Sequence, residues 1–539
     1  MNGQVDSIIK RLDQLESHRA PWEQLWQDCT DYVNPRRGDF TVKQSRGTST
    51  RFDKVFDSTA PLANEQLASG LHGHLTNTAE NWFSFKVSGM EPNHSIREWL
   101  QQSVETLFDR CFNLPETNFI TSIHELYLDL GSYGTGVIYV EDRPGKAIQF
   151  RSFHLADCYI AENHEGIVDT LYRKYKHTAR QLLQLYSDVL PEKFKENAVK
   201  QPFQEFTCVH AVEPRADLDY GKEDNTNMPW KSCYVLVEEK LLLAESGFRE
   251  FPYMVPRWSK TSGEVYGRSP AMICMPDIKM VNEMMKTTIR AAQKATDPPL
   301  MVPDDGFMMP LRTIPGGLNY YRSGSPDKIE ALQGGERPDI GLDFIDSRRE
   351  HINKSFHVDW LQLRDGPQMT ATEVLQRQEE KMRLMGPMVG RLQSEFLGPM
   401  LDRVFNIMTR RQQIPIPPQD LQGAELKVDY ISPVARAQKS STVFNFTRLM
   451  EQVIPLANVK PEILDNIDPD GTFRWAHEAL DAPTETLLDL EEVQKIREQR
   501  QQEEQAAQQA AVAQQGGAAM KDVTQAMQNM EMNGPEGTA

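Results

Sequence analysis

Cysteine is scarce in this chain and poorly placed for chemistry. Six residues, Cys29, Cys111, Cys158, Cys208, Cys233 and Cys274, are scattered over 539 positions with no Cys-x-x-Cys pair. That spacing argues against a zinc ribbon or a thioredoxin-like site and predicts buried free thiols rather than disulfides. Long apolar runs are also missing. No segment reaches the roughly 18 uninterrupted apolar residues of a membrane span, and the first twenty residues carry charges where a signal peptide is apolar. The expectation is a cytosolic product with no membrane partner.

Catalytic signatures are missing as well. The glycine-rich run Gly131-Ser132-Tyr133-Gly134-Thr135-Gly136 lacks the lysine of a phosphate loop, and no Gly-x-Ser-x-Gly elbow occurs. His124-Glu125 lacks the second histidine of a zinc protease, and His72-Gly73-His74 supplies too few ligands for a metal. Asn466, Asp468, Asp470 and Gly471 are spaced like a calcium loop, but His477 stands where its glutamate belongs and Pro469 stiffens the turn, which favours a capped loop. No catalytic residue, metal or cofactor is expected. Basic charge is also in deficit, 59 Lys and Arg against 77 Asp and Glu, so tight sequence-specific nucleic-acid binding is disfavoured.

What the chain does have is an ordered series of helices and breakers. At this length three or four domains of roughly 150 residues each are expected. Ile278, Val281, Met285, Ile289 and Ala292 mark one face of a helix from Pro270 to Thr296, which Pro298 and Pro299 stop. Pro303, Pro310, Pro315-Gly316-Gly317, Gly324, Pro326 and Gly334-Gly335 then forbid long regular elements up to Pro338. A second helix, about Asp339 to Val358, carries Leu342, Ile345, Ile352 and Phe356 on its apolar face, and the segment from Asp359 to Pro367 breaks it. Thr370 and Glu373 form a capping box for a long third helix, bent at Pro387 and Pro399.

Upstream the pattern is mixed. Residues 4–34 predict two short helices around Ala20-Pro21, with further helices over 57–76 and 94–112. Residues 136–150 predict a hairpin about Arg143-Pro144-Gly145-Lys146. Strands are expected at Cys158 to Ala161, Ile167 to Lys176, Phe206 to Val212 and Cys233 to Glu239, while Arg36-Arg37-Gly38 predicts a turn with solvated arginines. Downstream, Pro415-Ile416-Pro417-Pro418 marks a boundary, Glu425 to Ile431 alternates like a strand, and Pro433 opens a helical stretch to about Val453. The Gln, Ala and Glu-rich run from Glu491 is polar all round and needs neighbours to form a helix. The fold class is α+β, mainly helical.

Four segments carry a resemblance to a known family. They are Arg19-Ala20-Pro21-Trp22-Glu23 with Tyr32-Val33-Asn34-Pro35-Arg36-Arg37-Gly38; Phe56-Asp57-Ser58-Thr59-Ala60-Pro61 through Gly70-Leu71, with Asn81-Trp82-Phe83; Tyr266-Gly267-Arg268-Ser269-Pro270 leading into Pro276-Asp277-Ile278 and Asn282; and Met369-Thr370-Ala371-Thr372-Glu373-Val374 through Pro387. In this order they resemble the portal, or head-to-tail connector, proteins of short-tailed bacteriophages, over roughly residues 5–440. The resemblance implies a mixed α/β wing over 1–266, stem helices over 267–297 and 338–358, a clip over 298–337 and a tunnel loop over 359–369. A long kinked wing helix over 370–413, a crown over 414–490, a helical barrel over 491–525 and a loose tail over 526–539 complete the layout. It also implies a homo-oligomeric ring of twelve copies in the virion, at one capsid vertex. Double-stranded DNA passes through such a ring without sequence specificity during packaging and ejection. The partners implied are a separate terminase, a tail adaptor, capsid and scaffold proteins, and an internal core where the particle has one.

The residues give this layout chemical form. A net charge of -18 suits a weakly repulsive channel that lets DNA slide, or simply the solubility of an abundant protein. Lys286, Arg290 and Lys294 make a basic stripe on the first stem helix, and Asp339, Asp343, Asp346 and Glu350 an acidic stripe on the second. The stripes pair between neighbouring subunits, face the lumen, or are solvated surfaces. In the tunnel loop Trp360, Gln362 and Arg364 are the candidates for touching DNA, with Trp360 alternatively anchoring the loop.

Overall fold

The computed structural model describes residues 2–41, 54–78, 81–89, 93–219, 221–222, 224–296, 300–301, 330–331, 339–361, 385–421, 426–431, 442–443, 446–455, 460, 467–480, 486–488 and 492–506. They fall into two compact units. One comprises 1–84, 103–415 and 428–435, and the other 85–102, 416–427 and 436–539.

An antiparallel five-stranded meander organises the first unit. Its strands, in spatial and chain order, are β4 (Cys158–Glu162), β5 (Val168–Thr178), β6 (Glu205–Pro214), β7 (Trp230–Leu236) and β8 (Leu241–Phe248). Side chains alternate across a strand, so β6 and β7 sort their residues to two faces. Val209, Ala211, Cys233 and Val235 meet Val5, Ile8, Leu12 and Leu15 of helix α1 (Asn2–Tyr32). Cys208 and Leu236 meet the opposite layer, Leu182, Phe194 and Ala198 of α5 (Ala179–Tyr186) and α6 (Glu192–Lys200). The sheet is thereby covered on both faces. The sequence reading found four of these strands and missed β8, whose central Ala244-Glu245-Ser246 interrupts the apolar pattern.

A smaller sheet, β3 (Gln149–Phe153), β2 (Val137–Glu141) and β9 (Tyr253–Met254), contains the expected hairpin, paired Val137 to Phe153 and Glu141 to Gln149. Helices α2 (Thr59–Leu75) and α4 (Phe119–Tyr133) pack on each other, and α4 also packs on the long α7 (Pro270–Thr296). All six cysteines are buried and unbridged.

Three expectations need correction. Residues 2–32 form one helix, not two, with Pro21 inside it. Proline there removes one backbone bond, yet the helix continues because both flanks are held: the first turns by the sheet, and the turn around Arg19 by its bonds to the carbonyls of Leu155, Ala156 and Cys158 at 2.8–3.1 Å. The second of the three expected helices, α8, spans Asp339–Ser355 and breaks earlier than expected. His357 adopts a left-handed φ of 56°, and a short turn, α9 (Val358–Leu361), follows. Arg37 is not solvated, as described below.

The insertion between α7 and α8 leaves and returns at one point, where β10 (Leu300–Met301) pairs with β11 (Glu330–Ala331); residues 302–329 lie outside the described residues. Residues 385–410 are helical, with a π turn at Gln393–Leu397 directly before Gly398-Pro399 and α10 (Gly398–Arg410). The proline that cannot donate and the wide turn coincide, the combination at which helices commonly bend. In the second unit, Pro469 opens α11 (Pro469–Ala479), and the Asp468 carboxylate accepts from the Asp470 N–H at 3.1 Å. This is helix capping. Residues 492–506 are helical, and Arg497 reaches back to Asp470 at 2.6 and 2.7 Å.

Candidate functional site

Three of the four segments that carried the resemblance come together around the first half of α7. Tyr266 meets the Trp26 ring edge-on at 5.0 Å, and Trp22 stacks on Trp26 at 5.9 Å. Arg19 lies over the Tyr159 ring at 3.9 Å and pairs with Glu23 at 2.8 Å. Asn282, buried on α7, uses both ends of its amide: Oδ1 accepts from the Phe56 N–H at 2.7 Å and Nδ2 donates to the Lys54 carbonyl at 3.0 Å. Lys279 pairs with Asp28 at 2.7 Å. The fourth segment lies almost wholly outside the described residues.

The glycine-rich run has a packing explanation rather than a phosphate-binding one. A Cβ on Gly131 would stand 2.0 Å from Asn64 Oδ1 of α2. Gly134 has φ +72°, and a Cβ there would approach the backbone of 267–269 within 2.6 Å. Gly267 faces it, with the Gly134 carbonyl oxygen 2.2 Å from its own notional Cβ. The chain crosses itself at these two glycines, immediately before α7 begins, and only glycine permits that approach.

From this junction α7 and α8 pack against each other. Ala271, Cys274, Met275, Ile278 and Val281 are buried on α7, and Ile345 and Ile352 on α8. Arg348 of α8 bridges to Asp277 of α7 at 3.3 Å. Arg349 reaches the nearly buried Asp57 at 2.6 Å, and the Asp57 carboxylate also accepts from the Thr59 N–H at the start of α2 at 2.9 Å. Although burial raises the Asp57 carboxyl, the bonds from Thr59 and Arg349 outweigh it and hold the group below its usual range.

Beyond Asn282 the character of α7 changes, because most positions from 283 to 296 are exposed or only half-buried. The basic stripe lies on this half. Lys286 pairs with Glu283 of its own helix at 3.2 Å, and Arg290 and Lys294 are exposed. On α8, Asp343, Asp346 and Glu350 are exposed; Asp346 meets Arg349 at 3.1 Å and Glu350 meets Lys354 at 3.9 Å, both on their own helix. Asp339 is the first residue of α8. Trp360 belongs to α9, while Gln362 and Arg364 lie outside the described residues.

The structure also contains charged centres that the sequence reading did not single out. Arg257, 1% exposed, donates to Glu395 at 2.8 and 3.0 Å, to the Gly166 and Val265 carbonyls at 2.9 and 3.2 Å, and to Glu162. Arg403, also buried, donates to the carbonyls of Val140 and Glu250 at 3.1 and 2.9 Å. Arg37, expected in solvent, forms a two-pronged pair with the fully buried Asp129 at 2.8 and 2.9 Å, whereas its neighbour Arg36 is exposed. Burial pushes the Asp129 carboxyl up to about 6 against the pull of Arg37. Nothing local in the sequence marks these arginines, since their carboxylate partners lie 88 or more positions away. Arg37, like Arg19, stood in a segment already quoted for the resemblance.

Among the described residues no group of three or more His, Cys, Asp or Glu side chains is arranged to hold a metal, and no helix is long and apolar enough to cross a membrane. What the arrangement offers is a rigid anchored base for two helices whose far portions are polar and open.

Comparison with known proteins identifies the family. The family model described as bacteriophage head to tail connecting protein matches residues 5–488. The chain is 33% identical over 516 residues to a probable portal protein of Bordetella phage BPP-1, covering 92% of this chain and 90% of the relative. It is 32% identical over 512 residues to the portal protein of Salmonella phage epsilon15, covering 92% and 91%. The chain therefore belongs to the bacteriophage head-to-tail connecting protein family, the portal proteins, as a structural and non-enzymatic component of the particle.

Proposed function

We propose that copies of this chain close into a ring at a single capsid vertex and form the conduit through which double-stranded DNA enters during packaging and leaves during ejection. In this reading α7 and α8 are the stem, 298–337 the clip that receives the tail adaptor and terminase, and 359–369 the loop that reaches the DNA. The observation that carries it is the asymmetry of the helix pair. Its near half is locked to α1, α2 and the 54–57 segment by Asn282, Arg349 and Lys279, while its far half keeps Ile289 and Phe344 exposed at 38% and 43% among charged residues. A helix pair with exposed apolar and charged positions is suited to packing beside the same pair of another copy. Cyclic symmetry above two joins different surfaces of each subunit, and opposite stripes on α7 and α8 supply two such surfaces.

The net charge fits a conduit, since each strong phosphate contact would also resist sliding. Electron microscopy of the purified chain, with its mass measured in parallel, tests the reading. The expected result is a ring with a central channel and a mass near twelve copies of 61.6 kDa, about 740 kDa. Particles that remain monomeric or dimeric even when assembled with scaffold and capsid protein would favour a capsid component without a channel. Within the ring, Arg364→Ala is expected to lower DNA retention, and unchanged packaging and retention would remove that residue from the contact.

A further inference from the structure

The β2–β3 turn, α10 and the end of β8 enclose an open cleft of about 1210 Å³ whose charge runs against that of the whole chain. Seven basic side chains line it against three acidic ones, in a protein with a net charge of -18. The internal pairs leave some of this positive charge uncompensated. Glu250 is engaged by Arg403 and Arg410, and Asp142 by Arg411. The other four cations, Arg110, Arg143, Lys146 and Arg249, have no carboxylate partner among the described residues. The Nε of Arg143 is covered and has no hydrogen-bond acceptor. Arg110, Lys146 and Arg249 are exposed at the rim.

The four unpaired cations come from three separate segments, so they border a path along the cleft rather than converge on one point. Two of them flank Pro144-Gly145, the tip of the β2–β3 turn. Gly145 has φ +73° and open space around its notional Cβ, so a ligand can approach the backbone there. Like charges held close together repel one another and are favourable only when an anion occupies the space between them.

We infer that this cleft is a sequence-blind binding site for the phosphodiester backbone of nucleic acid, separate from the stem stripes and the tunnel loop. The inference rests on the reading that the chain handles DNA. A phosphate strand presents a regular row of anions to a bordering set of cations, and guanidinium forks match phosphate geometry. Contact at a few cations is also weak enough to be released.

The experiment compares the full chain with the triple variant Arg143→Glu, Lys146→Glu, Arg249→Glu, in which only half-buried or exposed side chains without carboxylate partners change. Binding of a short mixed-sequence duplex is followed by fluorescence anisotropy as salt is raised, with a polyglutamate peptide as the competing probe and particle mass recorded for both proteins. Each phosphate contact contributes about 0.9 to the slope of log affinity against log salt, so the variant is expected to lose about 2.7 of that slope and at least about tenfold in affinity at low salt. Equal affinity and slope in the two proteins would overturn the inference, as would binding of polyglutamate without binding of the duplex, which would mark an acidic-peptide surface. If rings form but the two proteins do not differ, the cleft fails and the conduit stands. If the cleft binds DNA on chains that never close, the cleft stands and the ring reading fails.

Discussion

Removing the Arg257 side chain gives the sharpest test of how the first unit is held together. The guanidinium ties Glu162 and Gly166, at and just beyond the end of β4, to Val265 and to Glu395 in the π turn, and is 1% exposed while doing so. Deleting one partner of a buried ion pair costs about 3–5 kcal/mol, because the remaining charge stays buried and unpaired. Here the lower end applies, about 3 kcal/mol, since Glu162 retains Lys260 and Glu395 retains Arg391 at 3.2 Å. In thermal unfolding of Arg257→Ala that corresponds to a drop of about 6 °C in the transition of this unit, at the small end of the shift per kcal/mol because the unit is large. The apolar double variant Arg257→Leu, Glu395→Leu removes both charges and is expected to lose less than Arg257→Leu alone. If Arg257→Ala shifts the transition by under 2 °C, or if the double variant loses as much as the sum of its singles, the buried-charge reasoning is refuted.

His210 is fully buried between Tyr253 at 2.7 Å and Ser232 at 2.9 Å, and burial pushes its pKa down to about 3. Between that value and the ordinary value near 6.5 only the unfolded chain takes up this proton, so stability falls as pH drops through the window, by up to about 5 kcal/mol; urea unfolding of His210→Gln should show a flatter profile there. Asp57 is held low, so its contribution is full above the unfolded carboxylate range and disappears as pH falls through its folded pKa. Asp57→Ala, which removes the acceptor of the Thr59 N–H and the Arg349 pair, is expected to cost about 2 kcal/mol at neutral pH and much less in strong acid. Gly134→Ala should abolish soluble folding because the new Cβ meets backbone at 2.5–2.6 Å, whereas Gly145→Ala, with open space around it, should lose only about 1 kcal/mol to its positive φ; expression and circular dichroism distinguish the two. Charge reversal at Asp343 and Asp346, both exposed on α8, should impair ring closure or DNA packaging while leaving the melting of the first unit within about 0.5 kcal/mol. Intact rings and intact packaging would remove the stripe from both roles.

The sequence by itself determined the elements whose signals are local. Period-3.6 apolar positions and bracketing prolines placed α7 from Pro270 to Thr296, and alternation placed β2 and β4 to β7. The absence of cysteine pairs left six thiols that the fold buries unbridged. The short segments that resembled portal proteins were legible for the same reason, since each is a run of consecutive residues. What the sequence could not show was why those runs matter. Asn282 with Phe56, Tyr266 with Trp26, and Gly134 with Gly267 meet across more than 130 positions.

Tertiary structure alone decided whether Pro21 would break α1, because the compensation comes from carbonyls of residues 155–158. It also decided that Arg37 would be buried against Asp129 and Arg36 left exposed, near Glu65, since only one of two adjacent arginines can point at Asp129. The same holds for Arg257 and Arg403 and for the basic cleft at the β2–β3 turn. Charge and hydrophobicity are properties of residues and are read along the chain. Burial and pairing are properties of positions in space, fixed only when segments far apart in sequence have packed.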